Sequence, residues 1–122
     1  MPFAFESLIV YQKSLVWVEE AETLSQKLKG RVSFSFLDQL SRASLSIPLN
    51  IAEGNSRWHK NDKKQFFRIA QGSVFEIVPI IQVLQRRQLI PKTTYDCLYA
   101  LLAELAKMLS GLIKAVDELK RE

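Results

Sequence analysis

Arginine, serine, asparagine and glutamate recur at helical spacing through one part of the chain. Arg42, Ser46, Asn50, Glu53 and Arg57 stand at steps of four, four, three and four residues. Small residues (Ala43, Ser44, Ala52, Gly54) border this stripe and let another helix come close, so its polar groups are expected to be partly buried and paired. The stripe could serve as an interhelical hydrogen-bond network, a polar pocket or a subunit contact. Glu53 and Glu76 are the carboxylates that general acid/base chemistry would call on. A helical hairpin centred on residue 59 pairs positions summing to about 118 and sets those two carboxylates several turns apart. It places Arg42 opposite Glu76, Ser46 opposite Gly72, Asn50 opposite Arg68 and Glu53 opposite Gln65. The expectation is a network of Arg42, Ser46, Asn50, Glu53, Ser73 and Glu76. An Arg42–Glu76 ion pair within it would fix register more than add net stability, because desolvation offsets the attraction.

A second group is basic. Arg57, Trp58, His59, Lys60, Lys63, Lys64 and Arg68 gather around one turn with only Asp62 opposing them. Lysine and arginine at this density can contact phosphates, and Trp58 or His59 can stack on an unpaired base. Arg57, Trp58, Lys60, Lys63, Lys64 and Arg68 are therefore the candidate nucleic-acid contacts, against the plainer alternative of a solvated turn. Arg86, Arg87 and Lys92 form a smaller cluster, and a hairpin topology puts Lys27, Lys29 and Arg31 near that same end. No nucleophile with an adjacent histidine and no glycine-rich phosphate loop stands out, so no enzyme and no cofactor are expected. A single cysteine, Cys97, and a single histidine, His59, leave no intrachain disulfide and no His-based or multi-cysteine metal site.

The elements that position these groups follow from composition and period. The 122 residues suit one domain, residues 1–122, with a real core. Apolar residues make up 48%, with only four glycines and four prolines, which favours a helical domain over disorder. A net charge of +4 and a pI near 9.3 favour anionic partners. The opening MPFAFESLIVYQKS lacks a basic n-region, and no run approaches the roughly 18 uninterrupted apolar residues of a membrane helix. A soluble, cytoplasmic protein without a membrane partner is the expectation.

Helical periodicity marks four segments. The first runs from about Ser7, its capping residue, to Lys29, with Leu8, Tyr11, Leu15, Val18, Ala21, Leu24 and Leu28 inward and Gly30 ending it. The second starts near Ser33 or Ser35 and runs to about Arg57 through Pro48, burying Leu40, Ala43, Ile47 and Ile51, with a bend expected near residues 44–47. The third is capped by Asn61 or Asp62 and runs to about Gln88, with Pro79 kinking it. Its core face is Phe66, Phe67, Ile69, Ala70, Val74, Ile77, Ile80, Ile81 and Leu84. The fourth opens on Pro91 and runs to about Lys120 on a leucine-rich stripe from Leu98 to Leu119. Short connections make this an all-α, antiparallel up-down-up-down four-helix bundle. Trp17, Phe34, Phe36, Phe75 and Tyr99 supply more aromatic surface than one small bundle obviously needs, which suits a self-association face.

QLSRASLSIPLNIAEG from Gln39 to Gly54, then Arg57, then FFRIAQGSVFE from Phe66 to Glu76, resembles the four-helix-bundle proteins encoded within bacterial 23S rRNA intervening sequences. The opening FESLIVYQKS extends the resemblance over nearly the whole chain. It implies a homopentamer and a role near RNA or DNA. Five copies at +4 each would form a positive ring holding nucleic acid without base-specific readout. The family includes relatives of the accessory variability determinant of diversity-generating retroelements. That kinship implies an alternative in which the oligomer binds a reverse transcriptase and its template RNA. A further alternative is a protein–protein scaffold whose charge serves only solubility.

Overall fold

The structure is a computed structural model and describes residues 2–121. Among these residues the chain forms α1 (Ile9–Leu28), α2 (Phe34–Ser56), α3 (Lys60–Arg86) and α4 (Lys92–Asp117), after a short 3₁₀ turn at Ala4–Ser7. There is no strand among them, only an isolated bridge between Lys29 and Val32.

The helix ends show where local signals hold. Ser33 caps α2, its hydroxyl accepting from the Phe36 amide at 3.2 Å. Gly30, at φ 84°, lets the chain leave α1 in a left-handed turn. Ser7 does not cap α1, because it lies in the 3₁₀ turn and its hydroxyl donates to the Ala4 carbonyl at 3.0 Å; Leu8 holds the cap position. Asn61 and Asp62 do not cap α3 either. The helix begins at Lys60 behind His59, and Asp62 falls in the first turn, where a carboxylate suits the helix dipole. The third helix ends at Arg86 rather than Gln88. Gln88 takes φ 59°, while the Leu89 amide reaches the Leu84 carbonyl at 2.9 Å and the Gln88 amide reaches that of Gln85 at 3.0 Å. This is a Schellman closure with glutamine in the position glycine usually fills. The fourth helix stops at Asp117, short of Lys120. Both α2 and α3 run unbroken through Pro48 and Pro79.

The first half of the α1 stripe is out of phase with its expected face, while Ala21, Leu24 and Leu28 in the second half are buried as expected. Val10, Ser14, Trp17, Ala21, Leu24 and Leu28 are buried, while Leu15 is exposed. Trp17 explains the rotation. Sealing the largest apolar side chain removes more surface from water than sealing a leucine, and its indole N–H finds a partner in the Ser44 hydroxyl. Trp17 is therefore core, not a self-association aromatic, and Phe36 is half-buried against that core. On α3, Ile69 faces outward and Phe66 and Ile80 are half-buried, whereas Phe67, Ala70, Val74, Ile77, Ile81 and Leu84 are sealed. By length and composition α3 could cross a bilayer, yet here that sealed face packs into the core.

α2 and α3 make the closest pairing. A Cβ built on Gly54 would lie 2.7 Å from Cε1 of the buried Phe67, so only glycine permits this approach. Farther along, the Ser73 hydroxyl donates to that of Ser46 at 2.8 Å and the Gln39 amide donates to Glu76 at 3.0 Å. These contacts fall close to the hairpin register centred on residue 59. On the other flank of α3, Gln71 donates to the Ala106 carbonyl and the Ser110 hydroxyl of α4 at 2.9 and 2.7 Å.

Candidate functional site

The polar stripe of α2 divides into pairs within the helix. Arg42 does not meet Glu76; it is exposed and bonds Asp38, one turn earlier, at 2.8 Å. Glu53 binds Arg57 at 2.9 Å, again one turn away. Asn50 donates to the carbonyl and hydroxyl of Ser46 at 2.8 and 3.0 Å, rather than meeting Arg68. The Ser46–Ser73 hydroxyl contact crosses to α3, and Glu76 crosses back to Gln39. Opposite charges four residues apart on one helix meet without ordering a second element, which favours them over the longer reach between helices. Among the described residues Glu53 and Glu76 bond different partners, Arg57 and Gln39.

The basic turn is organised by helix ends. Lysines in the first turn of α3 oppose its dipole, yet Lys60, Lys63 and Lys64 stand there. Each is drawn to negative ends of other elements. Lys63 is buried, against its expected exposure, and its Nζ donates to the Asn55 carbonyl at 2.8 Å and the Gly54 carbonyl at 3.4 Å, closing α2. Burial, and after it the charge of Arg121, push the Lys63 ammonium below its ordinary pKa. Lys60 donates to the carbonyls of Asp117 and Leu119 at 2.9 and 3.1 Å, closing α4. Lys64 binds the Asp117 carboxylate at 2.7 Å. That hydrogen bond first, then the charges of Lys64, Lys60 and Arg68, hold Asp117 below the usual carboxylate range. Arg57 lies 4.9 Å over Phe66, and the Arg121 guanidinium lies 4.0 Å over Trp58, which stays 62% exposed. Arg68 is exposed. Sequence reasoning found the residues of this turn but not their occupation; the visible signal was lysine placed against a helix dipole.

The other end of α3 differs. A cleft of about 310 Å³ brings Lys27 and Arg31, from the α1 end, beside Leu89, Ile90 and Pro91 of the α3–α4 connection. Lys29 and Arg87 are exposed in the same two connections, and Arg86 is exposed at the end of α3. Among the described residues, Lys92 is bound to Asp96 at 2.9 Å, whereas Lys27, Lys29, Arg31, Arg86 and Arg87 enter no ion pair. Glu20 lines the same cleft, but cations outnumber carboxylates there, and positive charge concentrated at one end suits polyanions. No group of three His, Cys, Asp or Glu residues gathers as a metal site among the described residues.

No curated protein matches the chain. Its fold matches the crystal structure of a protein of unknown function from the S23 ribosomal protein family of Bacteroides thetaiotaomicron. The two are 25% identical with a TM-score of 0.82, covering 87% of this chain and 99% of the other. The family model for 23S rRNA-intervening sequence protein matches residues 6–111. Together with the shared four-helix fold, that match places the chain in the 23S rRNA-intervening sequence protein family.

Proposed function

We propose that this chain is a non-enzymatic, up-down-up-down four-helix bundle that assembles as a homopentamer and holds nucleic acid on a basic surface, reading backbone rather than bases. The observation that supports the reading is the set of cations at the α1–α2 and α3–α4 connections: Lys27, Lys29, Arg31, Arg86 and Arg87 are exposed and enter no ion pair among the described residues. Repetition around a ring would multiply individually weak phosphate contacts. Exposed Leu45 and Leu49 on α2, Phe75 and Val83 on α3, and Tyr99 on α4 supply apolar area for contacts between copies.

The test is binding of labelled structured RNA and duplex DNA across a salt series, with oligomeric mass measured in the same buffer. The expected result is affinity that falls steeply with salt. Replacing Arg86 and Arg87 with glutamine should flatten the slope of log affinity against log salt by about 0.7–0.9 for each phosphate no longer neutralised. An intact oligomer that binds neither nucleic acid at low salt would overturn the reading and point to a protein partner.

A further inference from the structure

At the start of α3 the cations are met by the segment that follows α4. The Asp117 carboxylate sits on Lys64, the Asp117 and Leu119 carbonyls sit on Lys60, and the planar guanidinium of Arg121 lies over Trp58. Each contact has a counterpart in single-stranded nucleic acid, which offers anionic oxygens to lysines and flat groups to an indole face. The fit has a flaw on its inner side. The Nε of Arg121 is shut from water without an acceptor, and its charge presses on that of buried Lys63. A buried donor without an acceptor and a like-charge contact both weaken the closed arrangement. A polyanion entering here would replace the carbonyl contacts of Lys60 and the carboxylate contact of Lys64, and relieve the crowded charges behind them.

We infer that residues 117–121 form a displaceable cover over a single-stranded nucleic-acid site made by Lys60, Lys64 and Trp58. The inference rests on the nucleic-acid reading above, and adds a second, closed site at the opposite end of α3 from the open cations. Phosphates would take the two lysines, and an unpaired base would stack on Trp58.

The test uses the full chain carrying Asp117→Asn and Arg121→Gln together, which removes one charge of each sign and leaves the net charge unchanged. Before any RNA is added, emission from Trp58 should become more accessible to acrylamide, with buried Trp17 as a constant background. With a labelled single-stranded RNA, the double variant should bind severalfold more tightly than the unaltered chain. Its salt slope should steepen by about 0.7 per phosphate newly neutralised. Adding Lys60→Gln and Lys64→Gln should cancel the gain. Equal affinities and slopes, lost on neutralising Arg86 and Arg87, would remove the cover and leave the open-end reading standing. A gain seen only in the double variant and carried by Lys60 and Lys64 would support the cover while leaving the open end without support. Absence of binding by both proteins at low salt would overturn both.

Discussion

The indole N–H of Trp17 donates to the hydroxyl of Ser44 at 2.8 Å, and both residues are sealed from water. This bond ties α1 to α2 at the point where the small-residue face of α2 admits the largest side chain of the core. Ser44 serves it at little steric cost. Pro48, four residues on, has no N–H to offer the Ser44 carbonyl, so the serine already sits at an interrupted rung of the helix ladder.

Ser44→Ala should therefore leave the buried indole donor without an acceptor and cost about 1–3 kcal/mol in urea unfolding. In Trp17→Phe the serine loss should matter less, because the orphaned donor is gone. Strictly additive effects in that double-mutant cycle would show that the bond carries no coupling.

Gly54→Ala should destabilise. An alanine inside a helix gains about 0.5–1 kcal/mol over glycine, whereas overpacking a filled site costs about 1–3 kcal/mol. The new Cβ would stand 2.7 and 2.9 Å from ring atoms of buried Phe67 and 3.0 Å from Cβ of Phe66, so the steric term wins. Gly111→Ala, with nothing within 4 Å of the added carbon, is the control and should raise the melting temperature. If both variants are stabilised, the close packing of α2 on α3 is not as described.

Gln88→Gly should stabilise by roughly 0.5–1 kcal/mol. A left-handed residue other than glycine carries about 1–2 kcal/mol of strain, and the greater freedom of glycine in the unfolded chain returns part of the gain. Gln88→Val, branched at Cβ, should shift the thermal midpoint in the opposite direction.

Asp117 gives a pH signature. Its folded pKa lies below the ordinary 3.8, chiefly through the Lys64 hydrogen bond, so its contribution is present above that value and lost as pH falls through the depressed one. The stability difference between the unaltered chain and Asp117→Asn should accordingly shrink on acidification below pH 3.8. Lys63 has the opposite sense. A lowered ammonium pKa means the folded state resists holding the proton, and the penalty is relieved as pH rises through the window between the depressed value and 10.5. Arg121→Gln should move the Lys63 titration, followed by NMR at Cε, upward by removing the second of its two causes. An unmoved titration would place Arg121 away from Lys63.

What was legible in the chain depended on whether a single helix or its partners decided the outcome. The α2–α3 register could be read because small side chains, Ser46 and Gly54 on α2 and Ser73 on α3, mark the facing sides of the two helices and the turn fixes the sum of opposed positions. The partners of Arg42 and Glu53 could not, because long side chains took the nearer charge on their own helix. The phase of α1 was ambiguous locally: Leu8, Leu15 and Val18 make as regular a stripe as Val10, Ser14 and Trp17, and Ser44 on another helix broke the tie. The lysines of α3 were visible as charge, but which carbonyls would reach them was a tertiary fact.

Those lysines also order events in time. Lys63 closes α2 across eight or nine residues of chain, while Lys60 closes α4 across 57 to 59. The first loop is short enough to form as soon as its residues exist; the second waits for almost half the sequence. During synthesis, α2 and α3 can thus fasten their shared end while α4 is still in the ribosomal exit tunnel. Until α4 arrives, the nascent hairpin carries Lys60 and Lys64 without the partners that later hold them.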